Sequence, residues 1–583
     1  MQRITSAARS HWPAVVPIIV LFTLAMLLFP SAGRDDGFIT FWPAHTLKDD
    51  GEIVNLNGDR LEQSSSILHV VVLAAASLVA PGKAVPSVAP VVSLIAGALA
   101  LLYAYALALR YVNRWLALAA GLIAATTAFF AYWSTGGLET TLAAVIFTAL
   151  VYHCVRYLDA PQKGGVPIGV IVFMPLFVAV RPETVFVIGG VIAVAFSYFA
   201  WKSLTLTGPQ VPFYAQTRDR LMHIGIAAAI SGLVLAVFRY AYFNGDLLPQ
   251  PVNGKISGSP LDYMVDGLAY AASSLVPPPL SLMPFAAIWA GIDIFIRARR
   301  EDAPYVGGLF IVTFVPAYLG FIVFSGGDWM EGARFTVPLF PLIAVLAVMP
   351  LPRIKNTEMR VYAAAGMVAL HVMGSIWFAK FGSSAMPIWE VGKHNQGLPV
   401  ERYSWFSQAN RTQLRDIATT EAMYDTMDAV RGHFSGPVPM MSGQAGFIAY
   451  HLTRDYYGDV EFIDRHALAT AHFTSCEGTA DLPRTNTGLF LTYAAYFANA
   501  DLLQRECGIP KPAIIFELDV EELLVEKVVD EAGYTIVYRQ TGKISSGSQL
   551  NGMEVIANQF IAVRDDLARH IPWETPRVME WRP

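Results

Sequence analysis

The residues best suited to chemistry in this chain are two adjacent carboxylates, Asp35 and Asp36, which directly follow its first long apolar segment. That segment, Trp12–Ala32, is long enough to cross a bilayer, which would put the pair at a membrane surface. Carboxylates at such a position cost stability unless they are solvated, paired or used. One of them could deprotonate an acceptor hydroxyl as a general base, and a solvated helix end is the alternative.

Further polar clusters of unusual composition, with carboxylates, arginines and glycines, stand out between the apolar runs. They occupy residues 57–62, 134–140, 181–183, 244–249 and 325–334. Each has an ordinary explanation when taken singly. Glu139 could start a helix, and Arg181 and Glu183 could form a structural ion pair. Arg334 could be a snorkelling anchor. Together on one surface, however, the clusters would form a solvent-facing site at the membrane boundary.

The elements that must position these residues are apolar helices. Of the 583 residues, 54% are hydrophobic and 15% are charged, whereas a soluble domain carries roughly 25% charged residues. Apolar runs long enough to span a bilayer recur between residues 12 and 380. The sequence therefore predicts a multi-pass α-helical membrane protein with about eleven transmembrane helices, and Ser66–Ala80 as a re-entrant or interfacial helix. Two shorter runs, 166–180 and 185–200, are predicted to meet at residues 181–183.

Basic residues predict the orientation, because lysine and arginine accumulate in cytoplasmic loops. Basic clusters such as Arg110/Arg114 and Arg353/Lys355 are assigned to the inside. This puts the N-terminus in the cytoplasm and every unusual polar cluster on the outer side of the inner (plasma) membrane. The net charge of −5 suggests that nucleic acid is not a partner.

The chain after the last apolar run has the composition of a globular domain. We predict a division into a transmembrane catalytic domain, 1–381, and an extracytoplasmic soluble α/β domain, 382–583. Thr412–Arg431 is plausible as a helix. The predicted strands are Val438–Met441, Ala513–Glu517 and Tyr534–Tyr538. Cys476 and Cys507 could form a disulfide outside the cytoplasm or remain two free, buried thiols.

Several of these clusters resemble motifs of the GT-C superfamily of membrane glycosyltransferases, and most closely those of the actinobacterial terminal arabinofuranosyltransferase family. The similar segments are Asp35-Asp36-Gly37, Asn57 to Glu62, Ser134 to Glu139, Arg181 to Glu183, Gly245 to Pro249 and Gly326 to Phe335. The resemblance covers most of residues 13–345. The chain departs from the family pattern at Pro249–Lys255, where Gln250-Pro251 stands in place of Asn-Thr. In the tail only Gly443–Gly446 and Asp464–His466 are similar.

The resemblance implies a GT-C fold and an inverting glycosyltransferase. The enzyme would be a pentosyltransferase that moves a sugar, most readily arabinofuranose, from a polyprenyl-phosphate donor such as decaprenylphosphoryl arabinose. The acceptor would be an extracytoplasmic glycan or glycoprotein, with cell-wall arabinan as one example and cell wall biogenesis as the process. Membrane lipid would surround the donor's tail.

Such a reaction needs a base for the acceptor hydroxyl and cations for the leaving phosphate. Asp36 is the first candidate base and Asp35 the second. The candidate phosphate ligands are Arg334, Arg181, Lys255 and His45. The candidates for binding sugar or acceptor are Glu139, Glu183 and Asp328, which could orient hydroxyl groups, and Trp329 and Trp42, which could stack on a ring. No metal site and no certain cofactor are indicated, although carboxylate clusters can hold Mg²⁺ or Ca²⁺.

Other functions fit the same composition. A GT-C transferase could use another lipid-linked sugar such as mannose, because fold does not determine substrate. A polytopic transporter or flippase of lipid or glycan would carry internal inverted repeats or charges distributed on both membrane sides. Here the unusual charges are predicted on one side, which favours the transferase.

Overall fold

The computed structural model describes residues 2–583 except 30, 32–34, 81–83, 160–166, 208–210, 254–259, 276–281, 301–305, 329–332, 382–418, 474–492, 520–523, 546–553, 574–575 and 581–583. The chain forms two compact units. The first, called here the helical unit, comprises Met1–Ser31, Pro90–Val237 and Pro260–Tyr403. The second, the sheet unit, comprises Ala32–Ala89, Phe238–Ser259 and Ser404–Pro583. Each unit is therefore assembled from three separate segments of the sequence.

Helices dominate the first 381 residues. They are α1 Gln2–Leu28, α2 Asp35–Asp49, α3 Ile67–Val79, α4 Val85–Ala108, α5 Arg114–Ala125, α6 Ala128–Trp133, α7 Thr140–Leu158, α8 Ile168–Val180, α9 Thr184–Thr205, α10 Val211–Tyr242, α11 Gln250–Asn253, α12 Pro260–Leu275, α13 Leu282–Arg300, α14 Val306–Phe324, α15 Phe340–Val348 and α16 Thr357–Phe381. Short 3₁₀ turns precede and follow α15, at Val337–Leu339 and Leu351–Arg353.

Seven helices among the described residues are long and apolar enough to cross a membrane. They contain His11–Leu28, Val85–Ala108, Thr140–Leu158, Thr184–Thr205, Val211–Tyr242, Val306–Phe324 and Thr357–Ile376. Five shorter apolar helical segments accompany them, at Ile67–Val79, Arg114–Ala125, Ile168–Val180, Met283–Ile296 and Val337–Arg353. Together these helices confirm that the protein is a multi-pass membrane protein.

The predicted meeting of two apolar helices at residues 181–183 is confirmed. Helix α8 ends at Val180 and α9 begins at Thr184. Arg181 between them is extended, with φ −152° and ψ 116°, so the chain leaves the helical conformation there. The Thr184 hydroxyl donates to the Arg181 carbonyl at 2.6 Å and closes the turn.

The C-terminal part mixes helices and strands, as predicted. Residues 419–430 are helical, followed by α17 Phe447–Asp455, α18 Tyr493–Ala498, α19 Ala500–Cys507, α20 Leu524–Glu531 and α21 Asp565–Ala568. The strands are β1 Val438–Ser442, β2 Val460–Asp464, β3 Ile514–Asp519, β4 Tyr534–Ser545, β5 Glu554–Arg564 and β6 Arg577–Glu580. All three predicted strands are confirmed. β4 extends well beyond its prediction because it pairs with β5 along its length.

The six strands form one sheet in the order β2-β1-β3-β5-β4-β6. β1 is parallel to both β2 and β3, while β3–β5 and β5–β4 are antiparallel. The segment β1–α17–β2 is therefore a βαβ unit, in which α17 connects two parallel neighbours. Every residue of β1 is buried, as expected for a central parallel strand.

Apolar side chains from the sheet and from α18, α19 and α20 form the core of this domain. Ile515 and Phe560, on the neighbouring strands β3 and β5, pack with Tyr496 and Leu503 of the helices. Cys507, the last residue of α19, is disulfide-bonded. Cys154 is a free, buried thiol in α7. The α/β class predicted for the tail is thus confirmed.

Candidate functional site

Arg181 lies at the centre of a buried ionic cluster in the helical unit. Its Nη1 donates to Glu139 Oε1 at 2.8 Å, and its Nε donates to Glu183 Oε1 at 2.6 Å. Tyr318 of α14 also hydrogen-bonds Arg181. Glu139 and Arg181 are only 5% and 7% exposed. These contacts join α7, α9 and α14 around one guanidinium.

Both glutamates occupy positions where a helix begins. Glu139 is the residue before α7 and Glu183 the residue before α9, yet neither side chain caps its helix. The sequence left helix initiation open as an explanation for Glu139. Glu139 does stand at the start of α7, but its carboxylate binds Arg181 and not a backbone N–H of that helix. A charge-assisted hydrogen bond of this kind is stronger than one between neutral groups.

A second ion pair forms between Arg334 and Asp328. Arg334 donates through Nε to Asp328 Oδ2 at 2.7 Å and through Nη2 to Oδ1 at 3.0 Å. Two glycines with positive φ, Gly326 (79°) and Gly327 (75°), turn the chain just before Asp328. A Cβ at Gly327 would lie 2.6 Å from the Tyr270 Cβ, so glycine is required there for space as well as for conformation.

The ring of Phe335 brings the two ion pairs into one cluster. The Arg181 Cζ lies 4.4 Å from its centroid and the Arg334 Cζ lies 5.2 Å away, distances typical of cation–π contacts. The Phe335 N–H donates to the Tyr270 hydroxyl at 3.0 Å, which fixes the backbone beneath the ring. Five residues singled out from the sequence therefore lie together: Glu139, Arg181, Glu183, Asp328 and Arg334.

No role was predicted from the sequence for Phe335, Tyr318 or Tyr270, although all three contact this cluster. Phe335 ends a segment that carries the GT-C resemblance and directly follows Arg334 in the sequence. Its position could therefore have indicated that it belongs to the site. Tyr318 and Tyr270 lie on α14 and α12 among apolar residues, and nothing local distinguishes them from packing tyrosines.

The five charged side chains of the cluster carry two positive and three negative charges. Their sum is therefore −1, and each guanidinium already binds at least one carboxylate. An anionic ligand that binds Arg334 must take the place of Asp328 or share the guanidinium with it. A hydroxyl-rich ligand could instead use the carboxylates as acceptors.

Asp35 and Asp36 lie in the sheet unit, in the first turn of α2. Asp35 Oδ1 accepts the backbone N–H of Phe447, the first residue of α17, at 2.6 Å. Asp36 is partly buried and follows Asp35 on a helix with 3.6 residues per turn, so the two side chains point in different directions. The sequence does not show which of the two is the base. In the structure, the Asp35 carboxylate caps α17.

Trp42 and His45, on the same helix, have local partners. Trp42 is 2% exposed, and its indole N–H donates to the Asn55 carbonyl at 2.6 Å. These contacts are those of a packing residue, and the sugar-stacking role of Trp42 stays a prediction. His45 Nδ1 lies 3.0 Å from Asp49 on the next turn. Burial lowers the pKa of His45 below its usual value, which disfavours the charged form that a phosphate would need.

The Asn57–Glu62 motif makes contacts within the sheet unit. Asn57 donates its amide to the Phe462 carbonyl at 2.9 Å and accepts the Phe462 N–H at 2.7 Å. It thereby satisfies both backbone groups of a residue on the edge strand β2. Glu62 forms a bidentate pair with Arg239, at 2.6 and 2.8 Å. Arg239 is therefore buried against a carboxylate.

Lys255 and Trp329 lie outside the described residues. Within the described part of the chain, no three histidine, cysteine, aspartate or glutamate side chains come together as a metal-binding group.

The fold and these clusters define a class, a multi-pass membrane protein with a C-terminal α/β domain. The crystal structure of the Archaeoglobus fulgidus oligosaccharyltransferase in the apo form is similar to this chain, with a TM-score of 0.51 and 11% identity over 97% of this chain and 75% of that one. This likeness shows a shared fold, in agreement with the multi-pass helical architecture expected from the sequence.

ArnT from Cupriavidus metallidurans is also similar in structure. Its apo form matches with a TM-score of 0.46 and 11% identity over 96% of this chain and 99% of that one. Its undecaprenyl phosphate complex matches with a TM-score of 0.44 and 11% identity over 94% and 97%. No family model matches the chain, and no curated protein matches it.

Proposed function

We propose that the protein is an inverting membrane glycosyltransferase that moves arabinofuranose from a polyprenyl-phosphate donor to an extracytoplasmic glycan. The observation that carries the proposal is the convergence of Arg181, Arg334 and three carboxylates on Phe335. It occurs in a chain that shares its fold with an oligosaccharyltransferase. The choice of arabinofuranose rests on the sequence resemblance alone.

In this mechanism Asp36 removes the proton from an acceptor hydroxyl as that oxygen attacks the anomeric carbon. The bond from the anomeric carbon to the phosphate oxygen breaks, and polyprenyl phosphate leaves with the bonding electrons. One base and one displacement invert the anomeric configuration. General-base assistance of this kind contributes roughly 10²–10⁴-fold.

The leaving phosphate gains charge as the bond breaks, so it needs cationic donors already in place. Arg334 suits this role because its planar fork, which now holds Asp328 through two hydrogen bonds, matches a phosphate equally well. Arg181 is the second ligand, with Lys255 as a third from the sequence. Glu139, Glu183 and Asp328 would orient sugar hydroxyls, and Trp329 would supply a stacking surface.

The disulfide at Cys507 supports an extracytoplasmic tail, because disulfides persist in oxidising compartments. Together with the charge asymmetry of the loops, the disulfide supports our proposal that the N-terminus is cytoplasmic and that the reaction takes place on the outer side of the plasma membrane. The catalytic domain would end near residue 381 and the α/β domain would follow.

The direct test uses purified protein, polyprenyl-phosphate arabinose with a labelled sugar, and an oligo-arabinoside acceptor. We expect labelled product and release of polyprenyl phosphate. The Asp36→Asn variant should lose roughly 10²–10⁴-fold in kcat. Asp50→Asn is the matched control, because Asp50 is an exposed aspartate directly after the same helix, and its turnover should equal that of the wild type.

Three results would overturn parts of the proposal. Equal or faster turnover of polyprenyl-phosphate mannose would exclude the assigned sugar. Wild-type activity in Asp36→Asn would exclude the assigned base. Movement of lipid-linked sugar across a proteoliposome membrane without release of polyprenyl phosphate would exclude the enzyme class in favour of a flippase.

A further inference from the structure

Helix α17 receives its N-terminal cap from a residue more than 400 positions earlier in the sequence. The first N–H groups of any helix lack partners within it, and the helix dipole favours a negative group there. Gly446, which precedes α17, has no side chain to supply one. The Asp35 carboxylate does so, through Oδ1 and the Phe447 N–H at 2.6 Å.

Gly446 is what allows Asp35 to come so close. A Cβ built on Gly446 would collide with the carboxyl group and the carbonyl oxygen of Asp35. These are rigid neighbours, one of them backbone, so no small rearrangement would make room. The Gly443–Gly446 segment, which the sequence linked only weakly to the GT-C family, therefore has a specific structural use.

The contact lies at a position where α/β domains often bind anions. β1 is the central strand of the parallel β2-β1-β3 group, and the loop after it leads directly into α17. In open α/β sheets, ligands bind outside the carboxyl end of such a strand, and phosphates bind at the helix N-terminus that follows. Here the anion is the carboxylate of Asp35.

Aromatic packing continues the contact along both helices. The Phe38 ring lies 4.9 Å from that of Phe447 and 5.4 Å from that of Tyr450, in edge-to-face arrangements. Phe38 is one helical turn from Asp35, so α2 is held to α17 by one charged contact and by edge-to-face ring contacts. The backbone of Asp36, between these two anchors, is held with them.

We propose that Asp35 is a positioning residue that fixes α2 on α17 and so sets the place from which Asp36 acts as base. This inference rests on the proposed function for the role of Asp36, but not for the contact itself. It makes different predictions for two neighbouring aspartates that carry the same charge. Asparagine keeps an oxygen that can cap a helix about as well as aspartate, but it cannot serve as a general base.

The first measurement is hydrogen exchange at the amides of residues 447–450 in the full chain in lipid nanodiscs. Asp35→Ala and Gly446→Ala should each raise the exchange rate about tenfold, because both remove the cap. Asp35→Asn should change it little. Gly436→Ala is the matched control, because a Cβ there meets nothing within 4 Å.

The second measurement is turnover with polyprenyl-phosphate arabinose. Asp35→Asn should stay within about tenfold of the wild type, while Asp36→Asn loses roughly 10²–10⁴-fold. Asp35→Ala and Gly446→Ala should lower kcat about tenfold, and their combination should be no worse than either alone, because both break one contact.

Two outcomes would refute the inference. If Asp35→Asn is as inactive as Asp36→Asn while exchange at 447–450 is unchanged, Asp35 takes part in the chemistry directly. If Asp35→Ala leaves the exchange rates unchanged, the contact does not hold α17. If the wild type shows no glycosyl transfer, the proposed function is refuted. The exchange rates would still show whether Asp35 fixes α17.

Discussion

Two sets of polar side chains, one in the helical unit and one in the sheet unit, bind partners of different kinds. In the helical unit, Arg181 and Arg334 bind carboxylates. In the sheet unit, Asp35, Asn57 and Gln250 bind the backbone of Phe447, Phe462 and Ala467. A guanidinium can exchange one anion for another, whereas a backbone N–H or carbonyl group of the folded chain has a fixed place. The first arrangement suits a binding site and the second suits a joint between distant segments.

An ion pair within the sheet unit departs from this pattern and so offers a test of it. Glu62 and Arg239 belong to the sheet unit, and their side chains are only 3% and 5% exposed. Burial of an ion pair is costly, and removal of one partner leaves the other charge unpaired. We expect this pair to be structural, in contrast to Arg334 and Asp328.

The largest expected effect is on stability, from Glu62→Ala. The change leaves Arg239 buried without its carboxylate and should cost about 3–5 kcal/mol of unfolding free energy. Glu52→Ala is the control, because Glu52 pairs with Arg60 at an exposed position and should cost less than about 1 kcal/mol. Thermal unfolding in detergent would measure both. A Glu62→Ala protein of wild-type stability would contradict a structural role.

Arg334→Ala should have the next largest effect, and on catalysis. Loss of a donor that stabilises developing charge typically lowers kcat by roughly 10²–10³-fold. Arg334→Lys should restore little, because an ammonium lacks the planar fork. Arg60→Ala, at an exposed arginine, provides the control. Steady-state turnover that falls equally in both alanine variants would argue against a specific phosphate contact.

Asn57→Ala should have a moderate effect on stability. The change leaves the N–H and C=O of the buried residue Phe462 without their amide partner, at a cost of about 1–3 kcal/mol. Asn57→Asp should be no better, because a carboxylate cannot donate to the Phe462 carbonyl. Hydrogen exchange at the Phe462 amide would report the change locally. If that amide stays protected in Asn57→Ala, the edge strand has another partner.

The smallest expected effect is a dependence on pH through His451, which packs against Phe38 and Phe447. Burial, with a further contribution from Arg454 and opposition from Asp455, lowers the pKa of His451 to about 4. The neutral form is therefore favoured in the folded protein. The stability it contributes is complete above about pH 6.5 and is lost as the pH falls towards 4.

The variant His451→Leu should remove this dependence. Unfolding temperatures measured from pH 7 to pH 4 should fall less for His451→Leu than for the wild type. His45, whose pKa burial also lowers, remains in both proteins and provides a common background. Parallel curves for the two proteins would show that His451 is not the group responsible.

The sequence predicted features that depend on neighbouring residues. Apolar runs predicted the spanning helices, and the turn at Arg181 was visible because its two flanking runs end there. The proximity of Arg334 and Asp328 also follows from local chain direction. By contrast, Asp35 and Asn57 bind residues 412 and 405 positions away. Such contacts depend on the complete fold, so nothing near either residue in the sequence could reveal its partner.

Trp42 and Glu139 illustrate a second limit of the sequence. Each has a type and a position typical of a binding residue, and only its contacts decide its role. The indole of Trp42 is enclosed by its own unit. Glu139 is placed to cap a helix but binds Arg181 instead. In both cases side chains on other elements decide the outcome.

The long separation between Asp35 and Phe447 has a consequence for biosynthesis. A ribosome adds roughly 5–20 residues per second, so the 412 residues between them take roughly 20–80 s to synthesise. During that time α2 has emerged without the helix that anchors it. A newborn chain therefore cannot fix its aspartate-bearing helix until about three quarters of its 583 residues have been made, and truncation before α17 would leave that helix permanently without its partner.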